Sequence, residues 1–133
     1  MEAYALRLHP NQDLKMALDT FARAHNLEAA CVLTCVGSLQ RAVLRLANRE
    51  EAAELIDKFE IVSLTGTLSK YGAHYHIAIA DGQGRTVGGH LLEGCLVYTT
   101  AEIVIGLLPD LSFLREVDSA TGYDELYIRP NQS

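Results

Sequence analysis

The chain has 133 residues, of which 49% are apolar, and its 17 acidic and 11 basic side chains give a net charge of −6. This length and composition suit a single domain, residues 1–133, with a sizeable core, and they exclude a disordered chain. No apolar stretch approaches the roughly 18–20 residues of a membrane span, and the first residues lack the features of a signal peptide. We therefore expect a cytoplasmic protein with no membrane contact, and the negative charge disfavours direct binding to DNA phosphates.

The first two predicted elements are a strand and a helix. Apolar side chains alternate along Glu2–Leu8, which predicts a strand, and the apolar spacing becomes helical after Pro10. We predict Asn11 as the residue that caps this helix, with Asp13 in its first turn. The apolar stripe of the predicted helix consists of Leu14, Ala17, Leu18, Phe21 and Ala22.

The segment that follows predicts further strands. Gly37-Ser38 is interpreted as a turn between two of them, and Gly66 as a bulge within the third. The acidic stretch Asn48–Lys58 is interpreted either as one helical turn or as a long loop. The three predicted strands are Ala29–Val36, Leu39–Ala47 and Phe59–Leu68.

A hairpin is the most clearly patterned part of the chain. Ala73–Ala80 and Thr86–Leu92 are strand-like and flank the turn sequence Asp81–Arg85. The remaining segments predict a long strand, a short helix or bent strand, and a strand that closes the sheet: Cys95–Leu108, Leu111–Val117 and Tyr123–Ile128. The expected fold class is α/β of the α+β type, a two-layer domain with a central, largely antiparallel mixed sheet and one main helix.

Three of the five histidines lie on the two strands of this hairpin, within a span of 17 residues. His74 and His76 alternate with Tyr75, so their side chains point to the same face, roughly 6.5–7 Å apart at Cα. Two imidazoles at that spacing reach one ion at Zn–N distances of about 2.0–2.1 Å, and His90 on the second strand would complete a three-histidine metal site. Zinc is the leading candidate, with iron, nickel and copper as alternatives. The competing interpretation is three ordinary histidines, each satisfied by a hydrogen bond.

The length of the hairpin loop decides whether His90 joins the other two histidines. An even loop would place His90 opposite Tyr75, on the face away from them, whereas an odd loop such as Gly82–Gly84 would place it beside them. A bulge at Gly88-Gly89 would also change the parity.

A site of this kind would have an open position. Three protein ligands leave a fourth place for water or substrate, which is typical of catalytic rather than structural zinc. Glu93 and Glu102 are candidate carboxylates for orienting a ligand histidine, and Glu102 stands out as a charge inside an apolar strand sequence. The alternative for Glu102 is an ion pair with an arginine at an oligomer contact.

In their order along the chain, these segments resemble the plants-and-prokaryotes conserved (PPC) domain, over about residues 4–128. The motifs that carry the resemblance are Val36-Gly37-Ser38-Leu39, Phe59–Gly66, His74-Tyr75-His76, Asp81–Gly84, Gly88–Leu92 and Thr100–Ile103. The resemblance implies a two-layer α/β fold assembled as a homotrimer. It also includes the three-histidine pattern of prokaryotic members, some of which look metal-binding. The fold further resembles that of acetolactate decarboxylase, whose zinc is held by an HxH motif and a later histidine.

Bacterial members of this family usually carry a DNA-binding name, which derives from plant relatives with an AT-hook before the domain. Nothing in this chain resembles the Arg-Gly-Arg core of an AT-hook, and its only basic cluster is formed by Arg41, Arg45 and Arg49. We therefore expect a homotrimeric binding or regulatory module that meets DNA, if at all, through a protein partner. The alternative is a small metal-dependent lyase or hydrolase acting on an oxo- or hydroxy-acid.

Overall fold

The computed structural model describes residues 2–131, which form one helix and nine strands. Helix α1 spans Leu14–Ala24. The strands are β1 (Glu2–Leu8), β2 (Ala30–Arg45), β3 (Ala52–Leu55), β4 (Phe59–Ser69), β5 (Gly72–Ala80), β6 (Thr86–Leu91), β7 (Leu96–Leu107), β8 (Leu111–Val117) and β9 (Asp124–Pro130). The strand pairings are antiparallel, so the predicted, mostly antiparallel sheet with a single helix is confirmed. In this part of the chain, no helix is long and apolar enough to cross a membrane.

Seven strands form one sheet that closes on itself. Their order is β1-β7-β2-β4-β5-β6, with β3 added beside β2. The end of β2 also pairs with β6, where Leu44 lies opposite Leu91 and Arg45 lies opposite His90. Strands β2, β4, β5 and β6 therefore form a closed ring, and this pairing covers part of an edge of β6 that would otherwise be free.

Strands β8 and β9 form a separate two-stranded hairpin, which corrects the prediction that Tyr123–Ile128 closes the main sheet. Strand β8 packs against β4 and β5, and its Phe113 is buried there. Residues Leu111–Val117 are a strand and not a short helix. The alternation of side chains indicates a strand but carries no information about its partner, which is why the sequence did not predict this arrangement.

Helix α1 is capped by Asp13 and not by Asn11 as predicted. One carboxylate oxygen of Asp13 accepts a hydrogen bond from the Met16 N–H at 3.0 Å, and the other accepts one from the Gly94 N–H at 2.7 Å. Asn11 instead has a left-handed backbone with a φ of 72°. A carboxylate is favoured at this position because the first N–H groups of a helix have no intrahelical partners. The predicted apolar stripe faces the core, where the most buried residues are Leu14, Leu18 and Ala22.

Strand β2 runs without a break through Gly37-Ser38, where the sequence predicted a turn. A Cβ atom on Gly37 would lie 2.2 Å from the carbonyl oxygen of Thr100, so the glycine permits close contact between β2 and β7 and not a reversal of the chain. The predicted bulge at Gly66 is also wrong, because the irregular register of β4 lies at Ile61–Ser63. The acidic stretch Asn48–Lys58, predicted as one helical turn or a long loop, instead contains the short strand β3.

Alternation along β5 separates the core from the outer surface. Tyr75, Ile77 and Ile79 point inward and are buried. The side chains of His74 and His76 lie on the opposite, exposed face. The core therefore fixes the direction in which these two histidines point.

Candidate metal centre

The hairpin between β5 and β6 has the odd loop that brings the third histidine beside the other two. The Asp81 N–H donates to the carbonyl oxygen of Arg85 at 2.9 Å, and the Gly84 N–H donates to that of Asp81 at 2.9 Å. These bonds enclose the three-residue loop Gly82–Gly84, in which Gly84 has a φ of 80° that glycine adopts without strain. Strands β5 and β6 pair without a register shift, so no bulge at Gly88-Gly89 is involved.

The side chain of Asp81 stabilises the loop from within. Its carboxylate accepts hydrogen bonds from the N–H of Gln83 at 2.9 Å, from the N–H of Arg85 at 3.0 Å and from Nε of Arg85 at 3.0 Å. These hydrogen bonds, that from Gln83 foremost, lower the pKa of Asp81. The carboxylate is therefore ionised at neutral pH, and it holds the loop at the length that sets the register of the hairpin.

In this register the three histidines share the outer face of the hairpin. His76 lies directly opposite His90, and His74 lies two residues earlier on the same strand as His76. The ring centroids of His74 and His76 are 4.8 Å apart, those of His76 and His90 are 4.6 Å apart, and those of His74 and His90 are 5.3 Å apart. The three side chains thus form one compact cluster.

The donor atoms of this cluster fit a metal ion. The three histidines offer one ligand nitrogen each, and these nitrogens all lie within 4.8 Å of one another. Nitrogens bound to one tetrahedral zinc ion at about 2.0–2.1 Å lie roughly 3.3 Å apart, and rotation of the partly exposed rings covers the difference. Within residues 2–131, the ring nitrogens of these histidines form no hydrogen bonds. The interpretation of three histidines satisfied by hydrogen bonds therefore has no support in the described chain.

Burial and nearby cations favour the neutral form of two of these histidines. Partial burial has the largest effect on His74 and lowers its pKa, the neighbouring His76 and then Arg115 lower it further, and Glu125 acts in the opposite direction. For His90, burial again lowers the pKa most, followed by the charge of Arg45. A neutral imidazole keeps the lone pair that binds a metal, so protons compete weakly for these ligands at neutral pH.

A cleft beside the β8–β9 hairpin opens onto the histidines. Besides His74 and His90, its lining includes the charged residues Arg45, Arg115, Asp124 and Glu125. Sequence reasoning did not assign any of these four to the site. Asp124 and Glu125 lie on β9, which was predicted to belong to the main sheet, and Arg115 lies on β8, which was predicted as a short helix or a bent strand. The position of Arg45 opposite His90 depends on a long-range strand pairing.

A family model covers most of the chain, including the β5–β6 hairpin. Residues 1–109 match the model of the Plants and Prokaryotes Conserved (PCC) domain. The chain belongs to this family. The resemblance inferred from the sequence motifs is thereby confirmed, and the β5–β6 hairpin with its three histidines lies inside the matched part of this PPC domain.

A relative of this PPC domain occurs as part of a longer protein. The bifunctional protein GlmU from Synechococcus sp. strain JA-3-3Ab is 52% identical over 128 residues, which are 96% of this chain and 21% of that protein. The chain therefore spans about a fifth of the length of this relative.

Solved structures show the same fold. A hypothetical protein from Salmonella cholerae-suis has a TM-score of 0.95 and 44% identity, over 97% of this chain and 94% of that chain. A metal-containing protein from Archaeoglobus fulgidus has a TM-score of 0.80 and 26% identity, over 96% and 94% of the two chains. A candidate DNA-binding protein from Bacteroides thetaiotaomicron has a TM-score of 0.84 but only 19% identity, over 94% and 91%, so this similarity shows the fold alone.

The PPC domain does not bring Glu102 to the cleft beside the histidines. Glu102 is exposed on β7, where it lies opposite Arg7 of β1 and opposite Val36 of β2. Burial, and to a smaller extent the charge of Glu102, raises the pKa of the Cys35 thiol to about 11, which leaves that thiol protonated and unreactive. The second predicted carboxylate, Glu93, is exposed in the connection between β6 and β7. An orienting role for either carboxylate stays a prediction without a contact to support it.

Proposed function

We propose that this PPC-domain chain binds one divalent metal ion through His74, His76 and His90 and acts as a small homotrimeric binding or regulatory module. Zinc is the first candidate, because it favours imidazole nitrogen ligands and tolerates three protein ligands with one open position. The observation that carries the proposal is the cluster of three ligand nitrogens within 4.8 Å. The metal-containing relative from Archaeoglobus fulgidus, at 26% identity, supports it.

Metal analysis of the purified protein tests this proposal. We expect about one equivalent of a divalent metal per chain after dialysis, a loss of this metal in His76→Ala, and no loss in His9→Ala. His9 is a matched control because it is an exposed histidine outside the cluster. The proposal fails if the wild-type protein holds no stoichiometric metal after zinc is supplied, or if His76→Ala retains it.

A second candidate function is catalysis by the same metal. Three histidine ligands leave a position for water or substrate, and the cleft with its charged side chains opens onto them. A bound ion would supply Lewis-acid chemistry at this position, which suits a lyase or hydrolase acting on an oxo- or hydroxy-acid. Turnover of such acids by the zinc-loaded protein, abolished in His76→Ala, would support this candidate, and inactivity towards the whole class would exclude it.

Direct DNA binding is not part of the proposal. Of the three arginines in the basic cluster, Arg41 pairs with Glu54 through Nε at 2.8 Å, and Arg45 lines the histidine cleft. With a net charge of −6, the chain has little free positive surface for a phosphate backbone. We expect no gel shift of an AT-rich duplex at physiological salt, and tight, salt-sensitive binding would contradict this expectation.

The homotrimer is supported by apolar side chains on the outer surface of the sheet. Leu33, Val36 and Val62 are 48%, 60% and 57% exposed in the single chain. Burial of such side chains between copies of the chain is a common source of oligomer stability. Light scattering should give about three times the chain mass of 14.6 kDa, and the mass of a single chain would refute the trimer.

A further inference from the structure

Two arginines border the histidine cluster from different elements. Arg45 ends β2 and lies directly opposite His90. Arg115 lies on β8, and its Nη2 atom is 3.5 Å from Oγ1 of Thr67, the residue directly opposite His74. Both arginines line the cleft that opens onto the histidines. The cluster therefore has a guanidinium group beside each of its two strands.

Two glycines allow these arginines to come so close. A Cβ atom on Gly89 would lie 2.7 Å from the carbonyl oxygen of Arg45, so a larger residue there would push β6 away from the end of β2. A Cβ atom on Gly72 would lie 3.1 Å from Cγ of Arg115, so the stem of that side chain runs across the start of β5, two residues before His74. The close approach at Gly89 therefore involves the backbone of Arg45, whereas the missing side chain at Gly72 leaves room for the side chain of Arg115.

Within residues 2–131, neither arginine forms an ion pair. The salt bridges in the described residues join Lys15 to Asp19, Arg41 to Glu54, Lys70 to Glu28 and Arg85 to Asp81, and they leave Arg45 and Arg115 without a carboxylate partner. Both side chains are half-buried. A partly buried guanidinium without an ion pair favours an anionic ligand, because its planar donors match carboxylate and phosphate oxygens.

The charges in the cleft make this preference depend on the metal. Asp124 and Glu125 line the same cleft and balance the two arginines. A divalent ion held by three neutral histidines would therefore leave the cleft with net positive charge, whereas the metal-free cleft is close to neutral.

From this arrangement we infer that the cleft binds a small oxyanion, a carboxylate or a phosphate. Arg45 and Arg115 would bind oxygens of this ligand, and an ion held by the three histidines would supply positive charge and an open coordination position for another oxygen. This inference rests on the proposed metal site and names the class of ligand that it accepts.

Cobalt-loaded protein provides the test, because the visible absorption of bound Co²⁺ changes when a ligand replaces water. Inorganic phosphate and lactate are titrated separately into the wild-type protein, Arg45→Gln, Arg115→Gln and Arg115→Lys, with cobalt content measured for each. We expect a spectral change with one or both anions, and an affinity lower by about 10- to 100-fold in each glutamine variant. The anion affinity of Arg115→Lys should lie between those of the wild type and Arg115→Gln, since lysine keeps the charge but lacks the planar donors.

Arg41→Gln is the matched control, because Arg41 lies on the same strand but pairs with Glu54. It should bind the anion as the wild-type protein does. If the wild-type protein does not load cobalt, the metal proposal fails. If it loads cobalt but neither anion changes the spectrum, or if the glutamine variants bind as tightly as the wild type, the oxyanion inference alone is overturned.

Discussion

Replacing Gly89 by alanine should disturb the metal site and the closure of the sheet together. Gly89 precedes His90 on β6, and a Cβ atom there would lie 2.7 Å from the carbonyl oxygen of Arg45 on β2. To restore an ordinary contact, β6 must move away from β2 by about 0.5 Å or more. His90 moves with its strand, while His74 and His76 stay on β5.

The expected effect follows from this contact. Overpacking of a backbone contact lowers the free energy of unfolding by about 1–3 kcal/mol. With roughly 2.1 cal/mol/K of unfolding entropy per residue, this corresponds to about 4–10 °C in Tm for a chain of 133 residues. Zinc affinity should fall by about tenfold or more because one ligand is displaced. Urea denaturation of the metal-free protein measures the first effect, and zinc titration against a chromophoric chelator measures the second.

Gly82→Ala is the control in the same hairpin. No atom lies within 4 Å of a Cβ at Gly82, so this variant should keep its stability within about 0.5 kcal/mol. Equal urea midpoints for the two variants would refute the argument that β6 and β2 need the glycine. A destabilised Gly89→Ala that binds zinc as tightly as the wild type would show that the metal site does not depend on this contact.

Three further predictions concern the core, pH and the metal. Tyr75→Phe removes the hydrogen bond from the Tyr75 hydroxyl to Asp19 at 3.0 Å, while Asp19 keeps its ion pair with Lys15. Urea denaturation should therefore show a free energy of unfolding lower by about 1–2 kcal/mol, with the metal content unchanged. The pKa values of His74 and His90 are lowered in the folded, metal-free chain, so its free energy of unfolding should be highest above the unfolded pKa of about 6.5 and should decrease as the pH falls below that value. Urea midpoints measured across this range should fall less steeply in His90→Gln. Zinc at about a hundredfold its Kd should add about 2.7 kcal/mol, or roughly 10 °C in Tm by calorimetry, to the wild type but not to His76→Ala.

The histidine cluster was accessible to sequence reasoning because it is local. Its members lie on two strands joined by a short loop, so the alternation of side chains and the parity of the loop determine whether they meet. The glycines at positions 82 and 84 favoured the odd loop, and the structure has it. What the sequence left open was the choice between this loop and a bulge at Gly88-Gly89, and those glycines in fact serve the close approach of neighbouring strands.

The surroundings of the cluster depend on long-range contacts that the pattern of side chains does not encode. Arg45 meets His90 only because the sheet closes on itself, and Arg115 reaches the site only because β8 and β9 leave the main sheet. The turn predicted at Gly37-Ser38 failed for a related reason. A glycine that is small enough to pack against β7 looks, in the sequence, the same as a glycine that reverses the chain.

The short pairing between β2 and β6 lies where a bound metal would affect the opening of the sheet. It consists of two residue pairs, one of which includes a metal-ligand candidate, His90. An ion bound to His74, His76 and His90 would fasten β6 to β5 beside the place where the ring closes. Because all three ligands lie on β5 and β6, a bound ion would limit the movement of β6 away from β2, and amide hydrogen exchange at the closure should be slower in the metal-loaded protein than in the metal-free protein.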